Sequence, residues 1–196
     1  MIERSEERDS AIRAALPHVP ARGWTRAALE AGLRDLGRDP LEVEWLFPRG
    51  PAEAVEAWCD LADREMEAQA RAEDLLELRI PARIRRVITI RLEQAEPHKE
   101  AIRRALALQS LPWNLASALR TVARTADAMW VAAGDTSADF SWYTRRATLA
   151  AVYGATLAFW MQDDEPGFPA TRAFLERRLA DLARLQRPRG GARRAA

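Results

Sequence analysis

The sequence has 196 residues, and its 30 lysine and arginine residues nearly balance its 29 aspartate and glutamate residues, giving a net charge of +1. Hydrophobic residues make up 48% and charged residues 30%, which argues against a disordered or membrane-spanning chain. A net charge near zero argues against nucleic-acid binding, which depends on neutralising phosphates. The single cysteine and two histidines argue against an internal disulfide and against zinc sites built from several cysteines or histidines.

The sequence shows no targeting or spanning segment. Residues 1–10 are mostly charged or polar with no apolar run behind them, so we expect no signal peptide and a cytoplasmic protein. The uncharged stretch of residues 147–161 falls short of the roughly 20 apolar residues that a helix needs to cross a bilayer.

Apolar residues recur at intervals of three and four along most of the chain, and prolines and glycines fall between these stretches. This pattern predicts an all-α protein of about nine helices. We expect Pro17 and Pro20 to stop the first helix and Gly134 to end the seventh at its C′ position. The predicted helices cover residues 4–16, 25–36, 40–46, 51–76, 81–94, 97–110, 112–133, about 139–161 and 169–185.

Three short helices before longer ones are typical of a helix-turn-helix module joined to a helical ligand domain, as in TetR-type regulators. In a DNA reader the third helix enters the major groove and needs groups that contact bases and phosphates. Here residues 40–47 contain two glutamates and no cation, so residues 1–48 are expected to be a degenerate module that binds no nucleic acid. We expect at least two of Trp45, Leu46 and Phe47 to pack in the core.

The uncharged stretch 147–161 is expected to form a central helix covered on nearly all sides by protein or ligand. Its small residues form two ridges that permit close helix approach, either within the chain or across a dimer: Ala147, Ala151 and Ala155, and Ala150, Gly154 and Ala158. The large apolar residues around it form either a filled core or the wall of a cavity for an apolar ligand. The candidates for that wall are Leu106, Leu111, Leu119, Val122, Leu149, Val152, Tyr153, Phe159 and Trp160.

Two neighbouring aromatic residues begin this helix. Because adjacent helical residues point about 100° apart, Trp142 and Tyr143 do not share one buried stripe, and at least one is expected to be exposed beside a cation. Exposed aromatic residues next to arginine are typical of binding hot spots.

Two arginines follow them. Arg145 or Arg146 is a candidate for contacting a phosphate at the mouth of a lipid cavity. The alternative for both is a salt bridge to Asp135 or Asp139.

The sequence contains no motif typical of a catalytic site. Neither histidine belongs to the Glu-x-x-His pattern of di-metal helical bundles, and the glycine-rich phosphate loops and the Gly-x-Ser-x-Gly nucleophile turn are absent. Cys59 lies among apolar helical neighbours and is expected to be inert. The residues therefore predict a protein that is not an enzyme, with no metal and no cofactor.

In its ordered motifs the chain resembles one family, the lipid-binding accessory family of ubiquinone biosynthesis (the Coq-nine family), whose fold is similar to that of TetR regulators. The resemblance covers about 170 positions and is most specific over residues 125–130 and 133–146. Its other parts are residues 14–20, 23–25, 46–51, 83–85, Asp163, Phe168 and 171–178.

The resemblance implies a non-catalytic protein that binds an isoprenoid quinone intermediate or phospholipid and presents substrate to the di-iron demethoxyubiquinone hydroxylase. By the same resemblance, Arg146 is a lipid head-group residue and the protein is a homodimer. The residues that match the family's partner-binding surface are Asp127, Met129, Trp142 and Tyr143.

The end of the chain departs from the family pattern. Eukaryotic members carry a further amphipathic helix on the membrane, whereas residues 187–196 here are basic, lack an apolar face and are expected to be a disordered tail. Residues 49–186 are then the lipid-binding and dimerisation domain. We expect a bacterial-type member, peripheral on the inner face of the cytoplasmic membrane, with a ligand-responsive TetR-type regulator or a solid structural dimer as the alternatives.

Overall fold

The computed structural model describes residues 3–135 and 141–185, and within these ranges the chain has ten α-helices and no strand. Two of the helices, α2 and α4, have only four residues, and short 3-10 turns lie between several of the others. The prediction of an all-α protein is confirmed. The helices are α1 (Glu6–Ala15), α2 (Val19–Arg22), α3 (Arg26–Asp35), α4 (Val43–Leu46), α5 (Pro51–Ala72), α6 (Ile80–Ala95), α7 (Lys99–Gln109), α8 (Leu115–Ala132), α9 (Ser141–Trp160) and α10 (Pro169–Leu185).

The helix ends follow local chemistry. The Thr25 side chain accepts from the Ala28 amide and caps α3, and Gly134 lies beyond the end of α8 with a positive φ of 79°, as predicted. The predicted stop of the first helix at Pro17 and Pro20 is confirmed, since α1 ends at Ala15 and is followed by a 3-10 turn and the four-residue α2. Both prolines stand in the first turn of their segment, where no amide hydrogen is needed.

The N-terminal module packs tightly. In α3, Gly32 lies against α1, and a Cβ built on it would stand 2.6 Å from the backbone nitrogen of Ala15. Leu46 and Phe47 are buried while Trp45 is 60% exposed, which confirms that two of these three residues belong to the core.

Helix α5 joins this module to the rest of the chain. Arg8 and Glu53 form a buried ion pair at 3.0 Å, and Arg4 and Asp60 form a second pair at 2.7 Å. Their partners come from α1 or the residues just before it on one side and from α5 on the other. The buried apolar core also runs without interruption from α1 through α5 into the later helices, so the two predicted domains share one core.

The later helices form a bundle in which α5 packs on α6 and α8, α8 packs on α9, and α9 and α6 pack on α10. One face of α9 is not covered by any of the described residues. The prediction that α9 is covered on nearly all sides is therefore wrong for the single chain, because the small residues lie outward instead of between helices. The exposed residues of this face are Ala147, Ala151, Gly154, Ala155 and Ala158.

Among the described residues, no helix combines the length and the apolar character that crossing a membrane requires. The predicted tail, residues 187–196, lies outside the described residues.

Candidate functional site

An apolar cavity of about 510 Å³ lies between α6, α8, α9 and α10. Its inner wall is formed by Ile84, Leu149 and Val152, whose side chains are nearly inaccessible to solvent. At its mouth, Ile80 lines the cavity while remaining 54% exposed. A cavity of this size with apolar walls is typical of small-molecule sites, and the open mouth gives a ligand a way in.

One side of the cavity is polar. Trp130, Thr144, Arg145 and Thr148 line it, and the Thr148 hydroxyl donates to the Thr144 carbonyl at 2.7 Å. Arg145 is the charged residue of the lining, and its Nη1 lies 3.5 Å from Oδ1 of Asp135. The cavity therefore offers an apolar interior and a cation near its edge, which suits an amphiphilic ligand.

Two of the nine residues predicted to form the cavity wall, Leu149 and Val152, line this cavity. Leu111 is half-buried and Trp160 is buried in the core, where its ring packs edge-on against Phe168 at 6.4 Å between centroids. Tyr153 is half-buried. The others are exposed at the surface of the chain: Leu106, Leu119, Val122 and Phe159.

Sequence reasoning missed the contributions of α6 and α10. Ile80, Ile84, Leu179 and Leu182 line the cavity, yet their spacing is that of any helix packed on a core. A signal was present in α6, where Ile80 and Pro81 stand at an exposed helix start beside a buried stripe.

The two predicted head-group arginines lie in different places. Arg145 lines the cavity, whereas Arg146 is buried and its Nε donates to Oδ1 of Asp127 at 2.5 Å. Its Nη1 is also 3.9 Å from Oδ2 of Asp135. The predicted salt bridges to Asp135 are thus present for both arginines, and Asp139 lies outside the described residues.

The residues assigned to a partner-binding surface differ in their exposure to solvent. Tyr143 is 75% exposed, and the Asp127 side chain is half-exposed while it pairs with Arg146. Met129 is completely buried, so its side chain supports the packing of α8 and does not reach a surface. The side chain of Trp142 lies outside the described residues.

A buried polar cluster lies deeper in the bundle. Oδ2 of Asp63 accepts from the Thr125 hydroxyl at 2.8 Å, and Oδ1 of Asp63 lies 3.4 Å from Nε of Arg91. Burial raises the pKa of the Asp63 carboxyl and of the Tyr153 phenol, and it raises the pKa of the Cys59 thiol to about 11. A thiol with this pKa is protonated at neutral pH and is a poor nucleophile. Within the described part of the chain, no three histidine, cysteine or acidic side chains are grouped as metal ligands.

Comparison with known proteins shows which sequences this chain is similar to. Residues 115–186 match the model of the COQ9 family. The human ubiquinone biosynthesis protein COQ9, mitochondrial, is 34% identical over 177 residues, which cover 87% of this chain and 55% of the human protein. The Drosophila melanogaster protein of the same name is 33% identical over 187 residues, covering 89% of this chain and 55% of its own length. The chain thus spans little more than half the length of these relatives.

A solved structure shares the fold. The TetR transcriptional regulator from Nitrosomonas europaea superposes with a TM-score of 0.73 at 24% sequence identity, covering 91% of this chain and 99% of the regulator. This similarity confirms the TetR-like fold. The matches to the COQ9 family model and to COQ9 proteins confirm the resemblance to the accessory family.

Proposed function

We propose that this chain, which carries the COQ9 family domain and is similar to COQ9 proteins along most of its length, is a non-catalytic accessory protein of ubiquinone biosynthesis. In this role it binds an isoprenoid quinone intermediate or a phospholipid. The observation that carries the proposal is the apolar cavity with Arg145 at its polar side, because most of its wall lies within the matched residues 115–186.

The energetics of such binding are favourable. Burying a polyprenyl or acyl chain is worth about 0.8 kcal/mol for each CH₂ that leaves water. Because a membrane offers the chain a similar environment, transfer between membrane and cavity is close to balanced. In this proposal the protein therefore moves the quinone ring away from the membrane with little change in free energy.

The head group belongs beside Arg145. A guanidinium donates in a planar fork that suits phosphate or the oxygens of a quinone ring. Arg146, buried against Asp127, acts on the site indirectly by fixing the beginning of α9, which also carries Arg145.

The lipid is presented to a partner, for which we propose the di-iron demethoxyubiquinone hydroxylase. The exposed ring of Tyr143 supports a contact surface at the start of α9, one residue before the cavity-lining Thr144. A partner bound there would lie next to the polar side of the cavity. In this proposal Asp127 and Trp142 complete the surface, and Met129 supports it from below.

The exposed small-residue face of α9 supports a homodimer, since it allows close approach of a second helix. For the cellular location we propose the inner face of the cytoplasmic membrane. The names of the relatives place those proteins in mitochondria.

The test of lipid binding is mass spectrometry of organic extracts from the purified protein, compared with a mock purification. Val152→Trp fills the inner wall of the cavity and should reduce the extracted lipid to background. Leu41→Trp introduces the same side chain at an exposed position of the N-terminal module and should leave the amount of extracted lipid unchanged. Absence of enriched lipid from the unmodified protein, or its full retention by a folded Val152→Trp protein, would contradict the proposal.

The alternative is a ligand-responsive transcriptional regulator, which the shared fold with a TetR protein favours. Helix α4, which corresponds to the predicted third helix, does not support a regulator. Its Glu44 lies where a DNA-binding helix needs hydrogen-bond donors, and this glutamate already pairs with Arg26 at 2.7 Å. A gel-shift screen at low salt distinguishes the two functions, since specific DNA binding would favour the regulator.

A further inference from the structure

Exposed apolar residues flank an arginine at the mouth of the cavity. Leu78 and Ile80 are 43% and 54% exposed, and Arg79 between them is exposed and forms no ion pair with a described residue. Single exposed apolar residues are common on protein surfaces. Here Ile80 lines the opening of an apolar cavity, Leu78 stands two residues before it, and Arg79 between them has no ion-pair partner among the described residues; this combination is the feature to explain.

The backbone of this turn is fixed by the protein. Nε of Arg83 donates to the Leu78 carbonyl at 2.7 Å, and Nη1 of the same guanidinium donates to the Ala133 carbonyl at 3.3 Å. Leu75, three residues before Leu78, is buried in the core. The turn is thus tied both to the core and to the end of α8, so it displays Leu78 and Ile80 without an ordering cost.

An open groove of about 460 Å³ continues from the cavity onto the surface. It is lined by Arg79 and Arg85 and shares Pro81, Leu179 and Ala183 with the cavity. The shared wall residues are apolar, so a hydrocarbon chain can pass between surface and interior without crossing a charged barrier.

Positive charge is concentrated towards the end of the sequence. The whole chain has a net charge of +1, whereas residues 177–196 contain seven arginines and one aspartate. They begin within α10, whose Leu182 and Ala183 line the cavity. Glu176 pairs with Arg85 at 3.0 Å, and Asp74 and Glu77 line a neighbouring groove that includes Leu78 and Arg85 but not Arg79.

We infer that the turn Leu78–Pro81, together with the end of α10, is the surface by which this chain docks on an anionic lipid bilayer. Leu78 and Ile80 enter the boundary between head groups and acyl chains, while Arg79 contacts lipid phosphates. The mouth of the cavity then opens directly onto the hydrocarbon layer. The inference rests on the proposed lipid-binding function for its purpose, but vesicle binding is measured independently of it.

The experiment is flotation of the full chain with vesicles of phosphatidylcholine alone or of phosphatidylcholine with phosphatidylglycerol. The chain should bind the anionic vesicles, and Leu78→Asp combined with Arg79→Glu should weaken that binding by at least about tenfold. The matched control is Leu41→Asp combined with Arg34→Glu, which makes the same changes on exposed residues of the N-terminal module. This control should bind as the unmodified chain does.

Failure of the unmodified chain to float with anionic vesicles would overturn the inference. So would equal binding by the Leu78/Arg79 variant, or equal loss in the control. Because neither Leu78 nor Arg79 lines the cavity, the Leu78/Arg79 variant should retain whatever lipid is extracted from the unmodified protein. A chain that docks through this turn but yields no lipid would leave the docking surface standing and remove the lipid-binding function.

Discussion

At the residue scale, Asp63 brings a charged group into the centre of the bundle, where Arg91 and Thr125 partner it. Asp63→Ala is expected to destabilise the protein by about 3 kcal/mol, because it leaves the buried Arg91 guanidinium without a counter-charge. Thr125→Val, which removes one hydrogen bond and keeps the pair, should cost about 1 kcal/mol. Urea unfolding followed by circular dichroism measures both. Equal losses in the two variants would show that the ion pair contributes nothing of its own.

Only some of the apolar residues that were predicted to line the cavity do so. Leu149 and Val152 line it, while Leu119 and Val122 do not, although all four were predicted together. Apolar spacing identifies a helix face, but α8 has apolar residues on more than one face. Which of them turns toward the cavity depends on how α6 and α10 pack, and that is a tertiary property.

At the element scale, two helical glycines have opposite surroundings. Gly32 in α3 meets the backbone of α1, whereas nothing lies within 4 Å of a Cβ added at Gly154 in α9. Gly32→Ala should therefore force the helices apart and destabilise the chain by about 1–3 kcal/mol. In the isolated chain, Gly154→Ala should stabilise the helix by about 0.5–1 kcal/mol. Urea unfolding of the two variants should shift the midpoint in opposite directions, and shifts of the same sign would contradict this reading of the helix contacts.

Helix positions were predictable to within a few residues for most of the chain, because capping residues and glycines mark their ends. The end of α8 before Gly134 and the start of α3 after Thr25 follow from such signals. Pro17 and Pro20 marked the end of α1 correctly, but the sequence alone did not show that a 3-10 turn and α2 would begin at these prolines.

At the scale of the whole molecule, the outward face of α9 predicts self-association. Ala151 lies within its exposed ridge, so Ala151→Glu places a charge where a second chain would pack closely and should give a monomer. Ala27→Glu on the exposed surface of α3 is the matched control and should remain dimeric. Sedimentation velocity at several protein concentrations distinguishes the species. A monomeric unmodified chain at every concentration would contradict the dimer.

The ion pairs between α1 and α5 limit how far the N-terminal module can move relative to α5. A ligand-responsive regulator needs a DNA-binding module that can adopt two arrangements of similar free energy. Here Arg8 and Glu53 are locked together out of water, Arg64 of α5 holds Asp9 at 2.7 Å, and one core runs beneath both. Pivoting the N-terminal module would separate these charges and open the shared core, which disfavours a second arrangement. The N-terminal module is therefore expected to keep its position on α5 when the cavity is filled.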